Sequence, residues 1–275
     1  MMVIRPFCQG EDQKALDFLL PREERAIGLA ATLTPDSPLR KTVVCASCLE
    51  EGSSVMGLLV LLANGILFHL CDLKDSPQTR YSLQTWLTGK TVRCIIGEAS
   101  FSQVLQACLP APLRVVDYEL MTVCTARQAN PVSQGIHIRL CDEKDAQSLL
   151  DLQEGYEREE VIPPGEAYHR TACLAALRLT LSRQIVLGAF SSSVAIAKAG
   201  TNARGFNWDQ IGGVYTDPKW RRKGLSEALI RGLVFDRLHA GRKVALFVKP
   251  ENHAARSLYT KIGFSPVSPF RIVYY

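Results

Sequence analysis

The sequence has no apolar run long enough to cross a membrane as a helix. Its most apolar stretch, residues 55–68, is interrupted by Gly57, Asn64 and Gly65, whereas a spanning helix needs about 20 apolar residues. Two buried strands are the better interpretation of this stretch. The first residues also lack a basic segment followed by an apolar one, the pattern that is typical of secretion signals. We therefore expect a cytoplasmic protein with no membrane partner.

Concentrated positive charge is absent as well. The formal net charge is +5 at pH 7, but the chain has no long run of lysine and arginine. Nucleic-acid-binding domains usually gather basic residues on one face or in one arm. We expect no nucleic-acid partner, and the mild positive excess suits a small anionic ligand.

The zinc-binding patterns are incomplete. The chain has nine cysteines, of which Cys45 and Cys48 form a single CxxC pair. A structural zinc site needs a second cysteine pair or a histidine pair, and none follows at a usable spacing. The odd number and the apolar surroundings favour reduced thiols in a hydrophobic core and a reducing compartment. We expect no metal.

The chain does contain enough apolar sequence for two domains. Hydrophobic residues make up 47% of the 275 residues and charged residues 21%, so each half can bury a core of its own. The polar segment 127–135 contains a proline and a glycine and separates two apolar segments. It predicts a boundary between an N-terminal domain, residues 1–130, and a C-terminal domain, residues 136–275.

Hydrophobic periodicity predicts a mixed α/β fold in both halves. Each half begins with an Ile-Arg pair, at Ile4 and Ile138, followed by an acidic helix start and an amphipathic helix, which hints at two copies of one fold. Strands are predicted at 42–48, 55–61, 66–71, 91–96, 114–123, 137–140, 184–190, 194–199, 210–215, 243–248 and 270–274. Helices are predicted at 79–87, 100–108, 143–153, 170–181, 225–240 and 252–262.

A basic turn opens the helix predicted at 225–240. A helix start carries unpaired N–H groups and partial positive charge, which attract phosphate. Gly224 lacks the Cβ that would hold a phosphate away from the backbone, and arginine grips phosphate oxygens with paired hydrogen bonds. The sequence contains neither GxGxxG nor GxxxxGK[ST] here, which excludes two better-known nucleotide loops. Taken alone, the turn is equally compatible with a solvated helix start. The candidate anion-binding residues are Arg221, Arg222, Lys223, Gly224, Leu225 and Ser226.

The helix predicted at 252–262 has recognisable ends. Asn252 is a favoured N-cap residue, and Gly263 is placed for a left-handed C-cap with Phe264 beyond it. Tyr259 follows Asn252 by seven residues, so both lie on the same side of the helix, two turns apart. An isolated tyrosine on such a helix is more often a half-buried core residue, but the preceding phosphate turn favours a functional role.

Together these residues resemble the GNAT superfamily of acyl-CoA N-acyltransferases. The family signature Gln/Arg-x-x-Gly-x-Gly/Ala is matched by Arg221, Gly224 and Ser226, with serine as the small residue. The later motif, Asn-x-x-Ala-x-x-Leu-Tyr-x-x-x-Gly-Phe, is matched by Asn252, Ala255, Leu258, Tyr259, Gly263 and Phe264. The resemblance covers residues 136–275 and implies a GNAT-like fold there. The N-terminal half carries neither motif and is expected to be a degenerate copy of the same fold.

The resemblance implies acetyl-CoA as co-substrate and direct attack by a primary amine on the thioester. In the family, the strand before the turn binds the pantetheine arm and the thioester carbonyl, and the equivalent positions here are Gly213, Val214, Tyr215 and Thr216. A backbone N–H near Val214 would hold the oxyanion, and Asn252 would anchor the cofactor arm or the helix entry. Tyr259 would protonate the leaving thiolate, because the ordinary pKa values of phenol and thiol, ~10 and ~8.5, are close.

The resemblance also places the acceptor pocket near the first helix of the C-terminal half. An acidic segment follows that helix, and Glu157 and Glu160 are its candidates for a base that takes the amine proton through water; Glu154 and Glu159 lie beside them. A solvated acidic surface is the alternative for any one glutamate. Two other functions stay open, a non-catalytic acyl-CoA sensor and the transfer of a longer acyl or aminoacyl group.

Overall fold

The twelve β-strands of the described residues form one continuous mixed sheet. The computed structural model describes residues 2–7, 13–125, 133–162 and 167–275, so most of the predicted boundary segment lies outside the described residues. The strands are β1 (Met2–Pro6), β2 (Val43–Glu51), β3 (Ser54–Leu62), β4 (Ile66–Cys71), β5 (Cys94–Glu98), β6 (Arg114–Val123), β7 (Ile136–Cys141), β8 (Val186–Ser191), β9 (Val194–Arg204), β10 (Trp208–Thr216), β11 (Lys243–Val248) and β12 (Ser265–Tyr274). Their order is β1-β2-β3-β4-β5-β12-β6-β11-β10-β9-β8-β7.

The two halves of the chain exchange their last strands at the centre of this sheet. Strand β12 lies between β5 and β6, and β6 lies between β12 and β11. The β6–β12 pair is antiparallel and runs from Ser265 opposite Thr122 to Tyr274 opposite Arg114. The order is the same when it is read inward from β1 or from β7, as expected for two copies of one fold. The predicted ranges 1–130 and 136–275 therefore share the two central strands.

Eight α-helices cover the two faces of the sheet among the described residues. They are α1 (Gln13–Leu19), α2 (Ile27–Leu33), α3 (Pro77–Leu87), α4 (Ala99–Gln106), α5 (Ala146–Tyr156), α6 (Arg170–Arg183), α7 (Leu225–His239) and α8 (His253–Ile262). Successive side chains of a strand point to opposite faces, so Leu58 and Val60 pack against α1 and α2 while Leu59 and Leu61 pack against α3 and α4. Helices α7 and α8 lie on the face of α3 and α4, and α5 and α6 lie on the other face.

The predicted mixed α/β fold is confirmed, and most element bounds agree within a few residues. The largest differences have local causes. The last strand begins at Ser265 and not at the predicted residue 270. Pro266 and Pro269 argue against a strand, but a register shift between Pro266 and Ser268 accommodates the proline ring. Helix α2 is mostly apolar, with small Gly28, Ala30 and Ala31, and this composition carries no clear helical period.

Glu23, on a 3-10 turn before α2, connects the two halves. Its side chain is 0% exposed, and its carboxylate accepts hydrogen bonds from the backbone N–H groups of Asn207 and Trp208 and from the Asn207 amide, at 3.0–3.2 Å. A Cβ at Gly205 would lie 2.2 Å from the Glu23 Oε1 atom. The β9–β10 turn is therefore shaped around this carboxylate.

Replacing Glu23 with glutamine should destabilise the fold. The amide keeps one acceptor but turns an N–H₂ donor toward the donors of residues 207 and 208, which leaves buried groups unpaired. We expect a loss of about 2 kcal/mol in unfolding free energy, measured as a lower midpoint in chemical denaturation. The matched control is Glu24→Gln, at a partly exposed neighbour. Equal midpoints for the two variants would contradict this role of Glu23.

Candidate functional site

Strands β10 and β11 separate halfway along their length and open a cleft. They pair in parallel only from Trp208 opposite Lys243 to Ile211 opposite Leu246, although β10 continues to Thr216. A cavity of about 680 Å³ occupies the gap and continues to the start of α7 and one side of α8. This volume lies in the usual range of ligand sites.

A bulge in β10 presents a backbone amide to this cleft. Gly213 has a φ of +58°, and the pairing of β10 with β9 shifts register between Gly212 and Tyr215. The Lys198 ammonium on β9 donates a hydrogen bond of 2.9 Å to the Gly213 carbonyl. In a trans peptide the carbonyl and the next N–H point in opposite directions, so the Val214 N–H points away from Lys198.

Lys198 is an unusual residue for the interior of a sheet. It is 5% exposed, and burial lowers its pKa to about 8, with Glu157 acting in the opposite direction. Its ammonium also lies 5.1 Å from the centre of the Tyr156 ring. A buried lysine costs stability unless it is paired, and here its partners are the bulge and an aromatic face.

The basic turn has the geometry of an anion-binding nest. Arg222 has a φ of +63° and Gly224 a φ of +76°, and α7 starts at Leu225 with Gly224 as a cap that has no side-chain acceptor. No described residue accepts a hydrogen bond from the backbone N–H groups of residues 222–224. Alternating backbone conformations of this kind turn successive N–H groups toward one point, and the positive end of α7 adds to the attraction.

The basic side chains of the turn differ in their contacts. Arg221 is paired with Glu159 at 2.7 and 2.9 Å, and its Nε donates to the Thr216 carbonyl. Lys223 lies over the Trp220 ring, 4.2 Å from its centre, and does not line the cavity. Arg221 must therefore break its ion pair with Glu159 before it can contact a bound phosphate. Lys223 contributes only long-range electrostatic attraction.

Helix α8 has the ends that the sequence predicts. The Asn252 side chain accepts a hydrogen bond from the Ala255 N–H at 3.1 Å, and Gly263 is left-handed with a φ of +117°. The Phe264 N–H donates to the Tyr259 carbonyl at 3.0 Å, which closes the C-terminal turn. Asn252 thus holds the helix entry and also lines the cavity.

Tyr259 lines the cavity from α8. It is 8% exposed, and its hydroxyl has no hydrogen-bond partner among the described residues. Burial raises its pKa above the ordinary value, and the nearby Tyr156 and Glu160 add to the shift. The phenol is therefore held protonated and free to donate.

The structure separates the two glutamates that the sequence singles out. Residues 157–161 form a π-helical turn after α5, and Glu160 lines the cavity, where its carboxylate pairs with the Lys249 ammonium at 2.7 Å. Glu157 instead accepts hydrogen bonds from Gln153 and Cys173 and does not line the cavity. The π-helical turn changes the backbone geometry of this segment, so the side chains of Glu157 and Glu160 point to different sides of it.

Several residues that line the cavity were not predicted from the sequence. Tyr118, Tyr156 and Tyr274 line the cleft beside Glu160. Burial raises the pKa of Tyr156 to about 12, while a hydrogen bond from the Gly213 backbone acts the other way. Lys198, which holds the bulge, could have been identified from the sequence, because it is the one charged residue in the apolar segment Val194-Ala-Ile-Ala-Lys-Ala. The predicted residues that line the cavity are Val214, Tyr215, Thr216, Arg221, Arg222, Gly224, Leu225, Ser226, Asn252, Tyr259 and Glu160.

The described residues contain neither a metal-binding cluster nor a membrane-spanning helix. No group of three or more histidine, cysteine, aspartate or glutamate side chains is arranged to hold a metal ion within the described ranges. In the same part of the chain, every helix is too short or too polar to span a bilayer.

Comparisons with known proteins agree with this fold. Residues 186–270 match the FR47-like protein family. The X-ray structure of a Drosophila protein is 14% identical and matches 100% of this chain and 99% of its own with a TM-score of 0.72. A tandem GNAT protein from the clavulanic acid biosynthesis pathway is 12% identical over 99% and 98% of the two chains (TM-score 0.62). A putative GNAT acetyltransferase from Novosphingobium aromaticivorans is 18% identical over 91% and 96% (TM-score 0.57).

These likenesses confirm that the protein has the GNAT fold along its whole length, including the N-terminal half without motifs. No curated protein matches the sequence.

Proposed function

We propose that this protein is an acyl-CoA-dependent N-acyltransferase that transfers an acyl group, acetyl in the simplest case, to a primary amine. The observation that carries the proposal is the bulge in β10, where Lys198 holds the Gly213 carbonyl and turns the Val214 N–H away from itself. Val214, the nest at the start of α7 and Tyr259 all line the same cavity. A thioester bound there is contacted at its carbonyl oxygen and its sulfur together.

The proposed binding mode follows from these positions. The diphosphate of coenzyme A binds the N–H groups opening α7 and the side chain of Ser226, whose hydroxyl lies 2.9 Å from that of Thr216. Arg221 leaves Glu159 to contact a phosphate. The pantetheine arm follows the free edge of β10, and the thioester carbonyl accepts a hydrogen bond from the Val214 N–H.

The proposed reaction is a direct displacement. The neutral amine attacks the carbonyl carbon, and the Val214 N–H stabilises the negative charge that develops on oxygen. The new C–N bond forms, the C–S bond breaks, and the Tyr259 hydroxyl donates its proton to the leaving thiolate. Glu160 takes the proton lost by the amine through water. Holding both reactants in one cleft supplies much of the rate enhancement.

Replacing Gly224 with valine should weaken coenzyme A binding. A β-branched residue is strained at a φ of +76°, so the nest and the first N–H groups of α7 should move. We expect the Kd for coenzyme A, measured by calorimetry, to rise at least ~10-fold, since several phosphate hydrogen bonds of ~1.5 kcal/mol or more are lost.

The matched control is Gly241→Val, which carries the same strain at a φ of +72° beyond the other end of α7 and has open space around it. The control should bind coenzyme A as the unchanged protein does. Incubation with acetyl-CoA and a panel of amines, followed by thiol release, tests catalysis. If the protein binds coenzyme A but releases no thiol with any amine, the acyltransferase proposal is contradicted and a non-catalytic sensor is supported.

A further inference from the structure

A second cavity, of about 190 Å³, lies on the face of the sheet that carries α2. It shares four lining residues with the catalytic cleft: Asn202, Gln210, Phe247 and Ile272. Its other walls come mainly from the N-terminal half, from α2, β4 and β5, and from Phe270 on β12. The interleaving of the two halves thus creates a pocket that neither half contains alone.

Most of the residues that line this second cavity are apolar, although Arg25 and His69 also line it and their Nε and Nδ1 atoms have no hydrogen-bond partner among the described residues. Phe247 and Phe270 stack with their ring centres 4.0 Å apart, and Leu29, Phe68 and Ile96 complete the lining. For comparison, a cavity of about 150 Å³ lined by apolar side chains accommodates benzene. The second cavity therefore has room for one aromatic ring or a short hydrocarbon chain.

The polar residues of the wall do not favour a charged occupant. Among the described residues that line it, Arg25 carries a full charge, and this charge is already paired with Asp72 at 2.9 Å and with Glu98. His69 is buried, and this burial lowers its pKa to about 3, so the imidazole is neutral. An ammonium group of an amine acceptor would find no unpaired carboxylate here.

The geometry of the cleft decides which part of a substrate reaches this cavity. Ile211, Leu246 and Val248 pack on the α7 and α8 side, so Gln210 and Phe247 face the opposite side. In the proposed binding mode, the thioester carbonyl carbon has its oxygen at Val214 and its sulfur near Tyr259, so its one remaining substituent is the acyl chain. This chain can extend toward Gln210 and Phe247, which the cleft shares with the second cavity.

We infer that the second cavity binds the apolar acyl chain of the donor, so that the preferred donor is a medium-chain or aromatic acyl-CoA. The inference rests on the proposed acyltransferase function and specifies its donor. The acceptor amine then enters the cleft past Tyr156 and Glu160, which also line it.

Ile96→Trp is the test variant, because Ile96 lines the second cavity and not the first and is paired with Ile272 of the shared wall. Calorimetry is done with coenzyme A, acetyl-CoA, hexanoyl-CoA and benzoyl-CoA and needs no acceptor. In the unchanged protein, hexanoyl-CoA and benzoyl-CoA should bind at least ~10-fold more tightly than acetyl-CoA. Ile96→Trp should abolish this difference without changing the Kd for coenzyme A, and Ile96→Val should keep it.

The outcomes separate the two proposals. Equal Kd values for acetyl-CoA and hexanoyl-CoA in the unchanged protein overturn the inference, whatever the variants do, and leave the acyltransferase proposal standing. The same holds if Ile96→Trp keeps the chain-length preference but raises the KM of apolar amines, since the cavity then belongs to the acceptor. No binding of any coenzyme A derivative overturns the proposed function itself.

Discussion

Tyr259→Phe is expected to lower kcat by about 100- to 10,000-fold, the usual contribution of a positioned general acid. The substitution removes one hydroxyl that has no partner among the described residues, so the packing against Phe264, whose ring centre lies 5.9 Å away, is retained. In the proposed mechanism, the thiolate then leaves without a proton donor. The Kd for coenzyme A should stay within about 2-fold, because the diphosphate and pantetheine contacts are unchanged.

The pH profile gives a second test of Tyr259. Burial raises its pKa above the ordinary value of ~10, so the phenol stays protonated at neutral and mildly alkaline pH. If activity falls as the pH rises toward 10, a group other than Tyr259 is losing its proton. The same fall should then be seen in the phenylalanine variant.

The matched control for Tyr259 is Tyr275→Phe, which removes another hydroxyl without a partner among the described residues, at a position that does not line the cleft. This control should keep full turnover. A normal kcat for Tyr259→Phe would show that the phenol is not the general acid. The thiolate would then take its proton from solvent.

Lys198→Met is expected to lower kcat by about 100-fold, close to the effect of losing one oxyanion donor. Methionine fills a similar volume but cannot hold the Gly213 carbonyl, so the Gly213–Val214 peptide is free to rotate. The KM for the acyl donor should change little, because the amide acts on charge that develops only during the reaction. Steady-state kinetics that separate kcat from KM provide the measurement.

The pH dependence of kcat identifies Lys198 more directly. Its pKa is lowered to about 8, so the ammonium loses its charge as the pH rises through that value. The hydrogen bond to Gly213 then weakens, and kcat should fall on the alkaline side of pH 8. The methionine variant should lack this inflection, which a purely structural role would not produce.

Two controls protect this interpretation. Burying an ammonium group has a desolvation cost that methionine does not have, so Lys198→Met should keep its unfolding midpoint. Lys243→Met changes an exposed lysine outside the cleft lining and should keep its activity. If kcat and the inflection near pH 8 both survive in Lys198→Met, this lysine does not position the oxyanion donor.

The parts of the site that the sequence predicts well are local in the chain. Gly224 and Gly263 adopt positive φ values and Asn252 caps its helix, because turn and cap geometry depend on a few neighbouring residues. Arg222 is the exception, since its φ of +63° is rare for a residue with a Cβ. Its conformation depends on the whole turn, and the residue type gave no signal for it.

The acidic segment shows where local information ends. The sequence favours Glu157 and Glu160 equally, because both follow the same amphipathic helix. A single π-helical turn and the pairing of Glu160 with Lys249 decide which carboxylate reaches the cleft. Lys249 is 89 residues away from its partner, and no periodicity in either segment records that contact.

The sequence alone therefore determined the mixed α/β class, the helix ends and the glycine turn at the start of α7, because these follow from backbone preferences and hydrophobic period over short windows. Only the tertiary structure decided the exchange of β6 and β12, the buried hydrogen bond from Lys198 to Gly213, and the second cavity beneath α2. Each of these depends on contacts between distant segments, whose partners are selected by complementary shape and charge when the whole chain packs.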